Sequence, residues 1–144
     1  MERLLETVQR EGIYLKYDHL DYEERKLYGL YFYDRNRDKS FIVLDVTLDF
    51  HPILHRCVLA EELGHYFTVP RSKFTKPFAS YGDRIQLSRD ERRAMTWAAQ
   101  FLISDEKLNE ALAQQWNSIK ELADYLGVTT EIAAIRLQIR RRCA

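Results

Sequence analysis

The chain has 144 residues, 46% of them apolar and 31% charged, which fits one compact soluble domain that buries about 68–70% of its extended-chain surface and needs no staple. Its 22 basic and 22 acidic residues cancel, so no global field draws it to nucleic acid or to an anionic membrane. Two cysteines far apart, Cys57 and Cys143, and no apolar run near the ~20 residues of a membrane span argue against a disulfide scaffold and predict a reduced, cytoplasmic protein.

The opening "MERLLETVQREG" has no continuous apolar core of the kind a signal peptide carries, and it places Leu4, Leu5 and Val8 on one helical face with Gly12 as the stop. "IYLKY" (13–17) alternates like a strand, and "DHLDYEERK" reads as a polar loop. "LYGLYFYD" (27–34) and "FIVLDVTL" (41–48) are rich in aromatic and β-branched residues and predict a hairpin across the turn "RNRDKS". Pro52 suits the first turn of a helix, where its missing N–H costs nothing, and this helix is expected to run to about Tyr66. Residues 69–87 are expected to be irregular. A helix then starts behind Ser88, with Glu91 three residues on to complete a capping box. Leu108–Gln115, Ser118–Leu126 and Thr130–Arg142 follow as helices, the last two around Gly127. The expected fold class is α+β: a small N-terminal sheet or hairpin on a helical bundle. Residues 1–144 are expected to form one domain, with 116–144 a helix-turn-helix-like pair within it.

The chemistry concentrates in "VLAEELGHYF" (58–67). Residues 61 and 65 lie one helical turn apart, about 40° from each other around the axis, and Glu62 sits about 60° to the other side of His65. That is the layout of His-Glu-x-x-His, in which two residues hold a metal and a neighbouring carboxylate acts as general base. Glu61 replaces the first histidine. Zinc accepts a carboxylate, but a second anionic ligand weakens polarisation of a bound water and makes manganese or iron more plausible. Gly64 in mid-helix costs roughly 1 kcal/mol against alanine, and two explanations stand: close approach of another backbone or substrate, or tight helix packing. Glu91 is the best candidate for a third ligand, with the capping box as its alternative role. On the residues alone, "AEELGH" is read with equal weight as a metal site or as a solvated helix face ending in a histidine.

"LAEELGHYFT" (59–68) together with "ERRAMTWAAQFLIS" (91–104) resembles the ImmA/IrrE family of metallo-endopeptidases, whose first helix ends in His-Glu-Leu-Gly-His and whose second reads Glu-x-x-Ala-x-x-aromatic-Ala before two large apolar residues. Glu91, Ala94, Trp97, Ala98, Phe101 and Leu102 match in order and spacing. The strand "FIVLDVTL" and the C-terminal "IKELADYLGVTTEIAAIRL" are similar to the family's flanks, so the likeness covers the chain from about Tyr28 onward. It implies a zincin-like fold and a Zn2+ cofactor, with Mn2+ or Fe2+ as substitutes. It also implies Glu61, His65 and Glu91 as metal ligands and Glu62 as the catalytic base that takes a proton from water and passes it to the leaving amine. The implied partner is a helix-turn-helix repressor of a mobile element or prophage. The alternative is an inactive relative that binds its partner without cutting it. Glu61 is the departure from the pattern.

Other features are given smaller roles. Tyr66 and Tyr81 are weighed as phenolic donors and read as packing or surface residues. His51 and His55 are one turn apart, but His55 lies about 10 Å along the axis from Glu62, too far to share an ion. Glu62 and His65 also form a Glu-x-x-His pair, but the second pair that a di-iron bundle needs is missing. Cys57 is expected to be a buried thiol and Cys143 to have no role. The last helix pair mimics a DNA reader, yet Thr129, Thr130 and Glu131 open the would-be reading helix, so direct nucleic-acid binding is not the expected function.

Overall fold

The computed structural model describes residues 1–22, 25–70 and 81–143, with side chains for all of these except 21, 22, 25, 26 and 81–88. Helix α1 (Glu2–Arg10) buries Leu4 and Val8 and ends before Gly12 as expected, while Leu5, expected on the same face, is exposed and Thr7 is buried instead. Strands β1 (Tyr14–Asp18), β4 (Gly29–Asp34) and β5 (Lys39–Asp45) form one sheet in the order β1-β5-β4. The predicted hairpin is present: β4 and β5 pair antiparallel, from Gly29 opposite Leu44 to Asp34 opposite Lys39. β1 joins the other side of β5 in parallel, Tyr14 opposite Phe41. Within the stretch expected to be a loop, β2 (Asp21–Tyr22) and β3 (Arg25–Lys26) form a short antiparallel ladder of their own.

The sheet has two unlike faces because successive side chains point opposite ways. Ser40, Ile42 and Leu44 of β5 are buried toward the helices, as is Tyr31 of β4. On the other face Tyr14, Phe41 and Phe32 stack across three strands, with ring centroids 5.2 and 5.0 Å apart. β5 stops three residues before the predicted end of its strand because Asp45 caps a 3-10 turn (Val46–Phe50). Its carboxylate accepts from the backbone N–H of Thr47 at 3.1 Å and from that of Leu20 at 2.9 Å. These bonds satisfy a buried acid that a continuing strand would strand.

Helix α2 (Pro52–Thr68) runs two residues past its expected end and is the centre of the core. It is apolar nearly all round, with Cys57, Val58, Leu59, Ala60, Leu63 and Gly64 all buried, the composition of a helix covered on every side. It packs on the sheet with one flank and on α3 with the other.

Helix α3 (Tyr81–Leu102) begins well before the expected start at Ser88. The last proline upstream is Pro77, so nothing in 81–87 forbids a helix, and Gly82 alone costs only about 1 kcal/mol. Ser88 is therefore interior to the helix and the predicted Ser88–Glu91 capping box is not formed at its N-terminus. Of the segment 69–87 expected to be irregular, residues 71–80 lie outside the described residues.

Helices α4 (Asp105–Leu112) and α5 (Ile119–Leu126) are each capped by a serine hydroxyl, Ser104 on the Lys107 N–H and Ser118 on the Glu121 N–H. α6 (Thr130–Cys143) folds back onto α3 and α5. Its Arg136 is almost fully buried; Nε donates to the Ile103 carbonyl at 2.8 Å and the guanidinium pairs with Asp105. The result is α+β, a small sheet backed by helices. Among the described residues no helix is long and apolar enough to cross a membrane.

Candidate metal centre

The centre is built where α2 and α3 touch. A Cβ placed on Gly64 would lie 2.3 Å from the carbonyl oxygen of Ala94 and 2.8 Å from its Cα. The two helices thus meet backbone to backbone at this point, and both explanations offered for Gly64 reduce to one: tight helix packing through close main-chain approach. His65 is the next residue on α2. Glu91 is three residues before Ala94, on the same face of α3. The Gly64–Ala94 contact therefore sets the imidazole and the carboxylate facing each other, and His65 Nε2 lies 3.2 Å from Glu91 Oε1.

A second close approach comes from the sheet. A Cβ on Gly29, at the start of β4, would lie 2.7 Å from Cγ1 of Val58 and 3.0 Å from Oε1 of Glu62. Strand β4 can cross directly over the Glu62 carboxyl because residue 29 has no side chain. The sequence carried a signal for this: a glycine inside an otherwise aromatic strand marks a close backbone approach.

Burial and crowding set the electrostatics. Glu62 is buried, and burial with help from Glu61 and Glu91 pushes its carboxyl up to about 8 against the opposing pull of His65. Glu61 is pushed up to about 7, first by burial, then by Glu91, with Glu131 of α6 adding to it and His65 opposing. Burial alone would lower His65, but the Glu91 hydrogen bond and the three surrounding carboxylates outweigh it and hold the imidazole above its usual range. Glu91 moves the other way: its bond to His65 holds it below the usual carboxylate range, although burial opposes. The influence of Glu131, at the start of α6, was not anticipated from the sequence. That end of α6 buries Ile132 and Ala133 and leaves Thr130 and Glu131 exposed.

Three carboxyl groups and one imidazole gather here, Glu62 buried and Glu91 open to solvent, and with all three carboxyls ionised the set would carry excess negative charge. Such a set suits a divalent cation, which would reverse the upward shifts. The 3.2 Å between His65 Nε2 and Glu91 Oε1 is close to the ~3.4 Å separating two ligand atoms of one tetrahedral zinc. Glu61 senses both charges, yet among the described residues no three His, Cys, Asp or Glu side chains are closed into a ligating group. The residues fit a metal by type, and His65 with Glu91 by spacing, while the Glu61 carboxylate would still have to be drawn in.

The remaining candidates fall elsewhere. Tyr66 donates its hydroxyl to Glu11 at 3.3 Å and packs edge-on against Tyr31, while the side chain of Tyr81 lies outside the described residues. His55 Nε2 is hydrogen-bonded to the Tyr17 hydroxyl at 2.9 Å, and His51 is exposed at the entrance of α2 without a side-chain cap bond. Cys57 is buried, and its thiol is pushed up by burial, against a smaller downward pull from bonding to Thr129.

Residues 9–138 match the model of a peptidase family described as the IrrE N-terminal-like domain. A solved Mycobacterium tuberculosis transcriptional regulator superposes with a TM-score of 0.60 at 21% identity, covering 94% of this chain. At that identity the likeness is one of fold, and this chain spans 40% of the length of that structure. No curated protein matches the chain.

Proposed function

The chain belongs to the IrrE N-terminal-like domain family of peptidases, and from that premise we propose that it is a metal-dependent endopeptidase whose substrate is a helix-turn-helix repressor of a mobile element or prophage. The observation that carries the reading is the 3.2 Å contact between His65 and Glu91, made across two helices, with the buried Glu62 carboxyl one residue beyond Glu61 on the same helix. Glu61, His65 and Glu91 would hold the ion, zinc by preference and manganese or iron as substitutes. When bound, the ion supplies a Lewis acid for the peptide carbonyl and an acidified water.

The protein's own groups do the rest. Glu62 takes the proton from the attacking water and delivers it to the leaving amine. Its burial keeps that proton from bulk solvent. Among the described residues β4 pairs with β5, and its Gly29 end lies beside Glu62.

The experiment is co-incubation of the metal-loaded protein with a helix-turn-helix repressor encoded beside it, read by mass spectrometry. Wild type should yield two fragments. Glu62→Gln should retain the metal and yield none. Cleavage by that variant at the wild-type rate removes Glu62 from its role.

A second reading is supported by Glu61 standing in place of histidine and by the open three-ligand group: a relative that binds its regulatory partner without cutting it. In that case partner binding survives both chelation and Glu62→Gln, and no fragment forms with wild type.

A further inference from the structure

Beside the metal centre lies a cavity of about 490 Å3 whose walls include Thr68, Arg89, Arg92, Arg93, Trp97 and Arg142. Four guanidiniums share it in a chain whose formal net charge is zero. Arg93 has Asp90 at 4.0 Å, but among the described residues no carboxylate pairs with Arg89, Arg92 or Arg142. Like charges gathered together repel, and they focus potential in a concave site. One wall is the indole of Trp97, stacked between Phe67 and Phe101 at 4.9 and 5.0 Å and so held in place. The cavity is thus rigid on its aromatic side and cationic on the others.

Its position ties it to the peptidase face. Arg92 follows Glu91 directly, and Thr68 lies three residues beyond His65, about 4.5 Å further along the axis of α2. That distance is one or two residues of extended peptide at roughly 3.4 Å each. The ionised Glu91 is the nearest anionic group of that centre, one residue from Arg92.

We propose that this cavity takes acidic side chains of the polypeptide bound at the metal centre, and so selects segments with Asp or Glu a few residues from the scissile bond. The inference rests on the polypeptide-substrate reading above. Arginine forks match carboxylates two bonds at a time, which gives direction as well as attraction.

The test uses the full chain carrying Glu62→Gln and two fluorescent peptides, one with a Glu-Glu-Asp cluster in a neutral apolar sequence and one with Gln-Gln-Asn in its place. Anisotropy should show the acidic peptide binding at least roughly tenfold more tightly, with the difference shrinking as salt is raised. The double substitution Arg92→Gln and Arg142→Gln should remove that preference while leaving the melting temperature unchanged, since both side chains are exposed. Equal affinity for the two peptides, no binding up to millimolar peptide, or an unaltered preference in the double variant overturns the proposal. So does displacement of the acidic peptide by a short DNA duplex at lower concentration than by unlabelled peptide. Charge-selective binding by a chain that cuts no repressor would sink the endopeptidase reading alone, and cleavage insensitive to the arginine substitutions would sink this one alone.

Discussion

Gly64→Ala tests how the centre is assembled. The added Cβ would sit 2.3 Å from the Ala94 carbonyl oxygen, against the 3.4 Å at which ordinary contact begins, so α2 and α3 must separate by about 1 Å. Overpacking of this kind costs about 1–3 kcal/mol, and the upper end applies because the obstacle is backbone rather than a flexible side chain. Alanine regains about 1 kcal/mol of helix propensity, leaving a net loss near 2 kcal/mol. In a chain of this size that corresponds to a fall in Tm of about 6–8 °C. The same displacement stretches the His65–Glu91 contact from 3.2 Å to roughly 4 Å, beyond hydrogen bonding. Calorimetric melting of the metal-free protein reads the first effect, and the NMR titration of His65 reads the second as a downward move of its pKa. Adding Ala94→Gly should not rescue the variant, because the obstacle is main chain, and a second helical glycine costs about another 1 kcal/mol. A Gly64→Ala protein that melts at or above the wild-type temperature with an unmoved His65 titration would show that the helices do not meet at this point.

Three further outcomes follow from the same geometry. Glu61 and Glu62 titrate near 7 and 8 in the folded metal-free protein against 4.5 when exposed, so their contribution is fully present below 4.5 and is lost as pH rises through those values. The opposite contribution of His55, whose pKa is lowered by burial, is complete by about pH 6.5. The metal-free Tm should therefore fall between about pH 6.5 and 8.5, and Glu62→Gln should flatten the fall; a rising wild-type profile contradicts the burial of these acids. Glu61→His removes one buried carboxylate and restores the histidine pair, so isothermal titration should show tighter zinc binding than wild type, and weaker binding would mean that residue 61 does not face the ion. Arg136→Ala loses a buried charge-assisted bond and should cost about 2–4 kcal/mol in denaturant unfolding, whereas Asp105→Ala, whose carboxylate is exposed, should cost under about 1 kcal/mol. Equal costs would mean that the ion pair, rather than the bond to Ile103, anchors α6.

Much of the architecture was legible locally. Pro52 opens α2, Ser118 with Glu121 opens α5, and the alternation of "FIVLD" gives the strand with the buried Ile42 and Leu44. What failed was non-local. The parallel neighbour of β5 is β1, some 25 residues away in sequence, and no local pattern specifies that choice. The Ser-x-x-Glu spacing at 88–91 resembled a helix start, but a tertiary contact claims Glu91 for His65 in mid-helix. For the centre, the facing of Glu61, Glu62 and His65 follows from helical spacing, and the resemblance supplied Glu91. Gly64 raised the question of a close approach, but only the fold identifies Ala94 as the obstacle. Arg89, Arg92 and Arg93 are visible as a basic run, yet Arg142 reaches them only because α6 returns to α3.

The most direct measurement is a zinc titration of chelator-treated protein at neutral pH, comparing wild type with Glu91→Ala and Glu62→Gln. Wild type and Glu62→Gln should each take up one equivalent, while Glu91→Ala should bind more weakly by over the ~10–100-fold that loss of an outer-shell partner costs. Zinc held by Glu91→Ala as tightly as by wild type would place the ion, if any, away from the junction of α2 and α3.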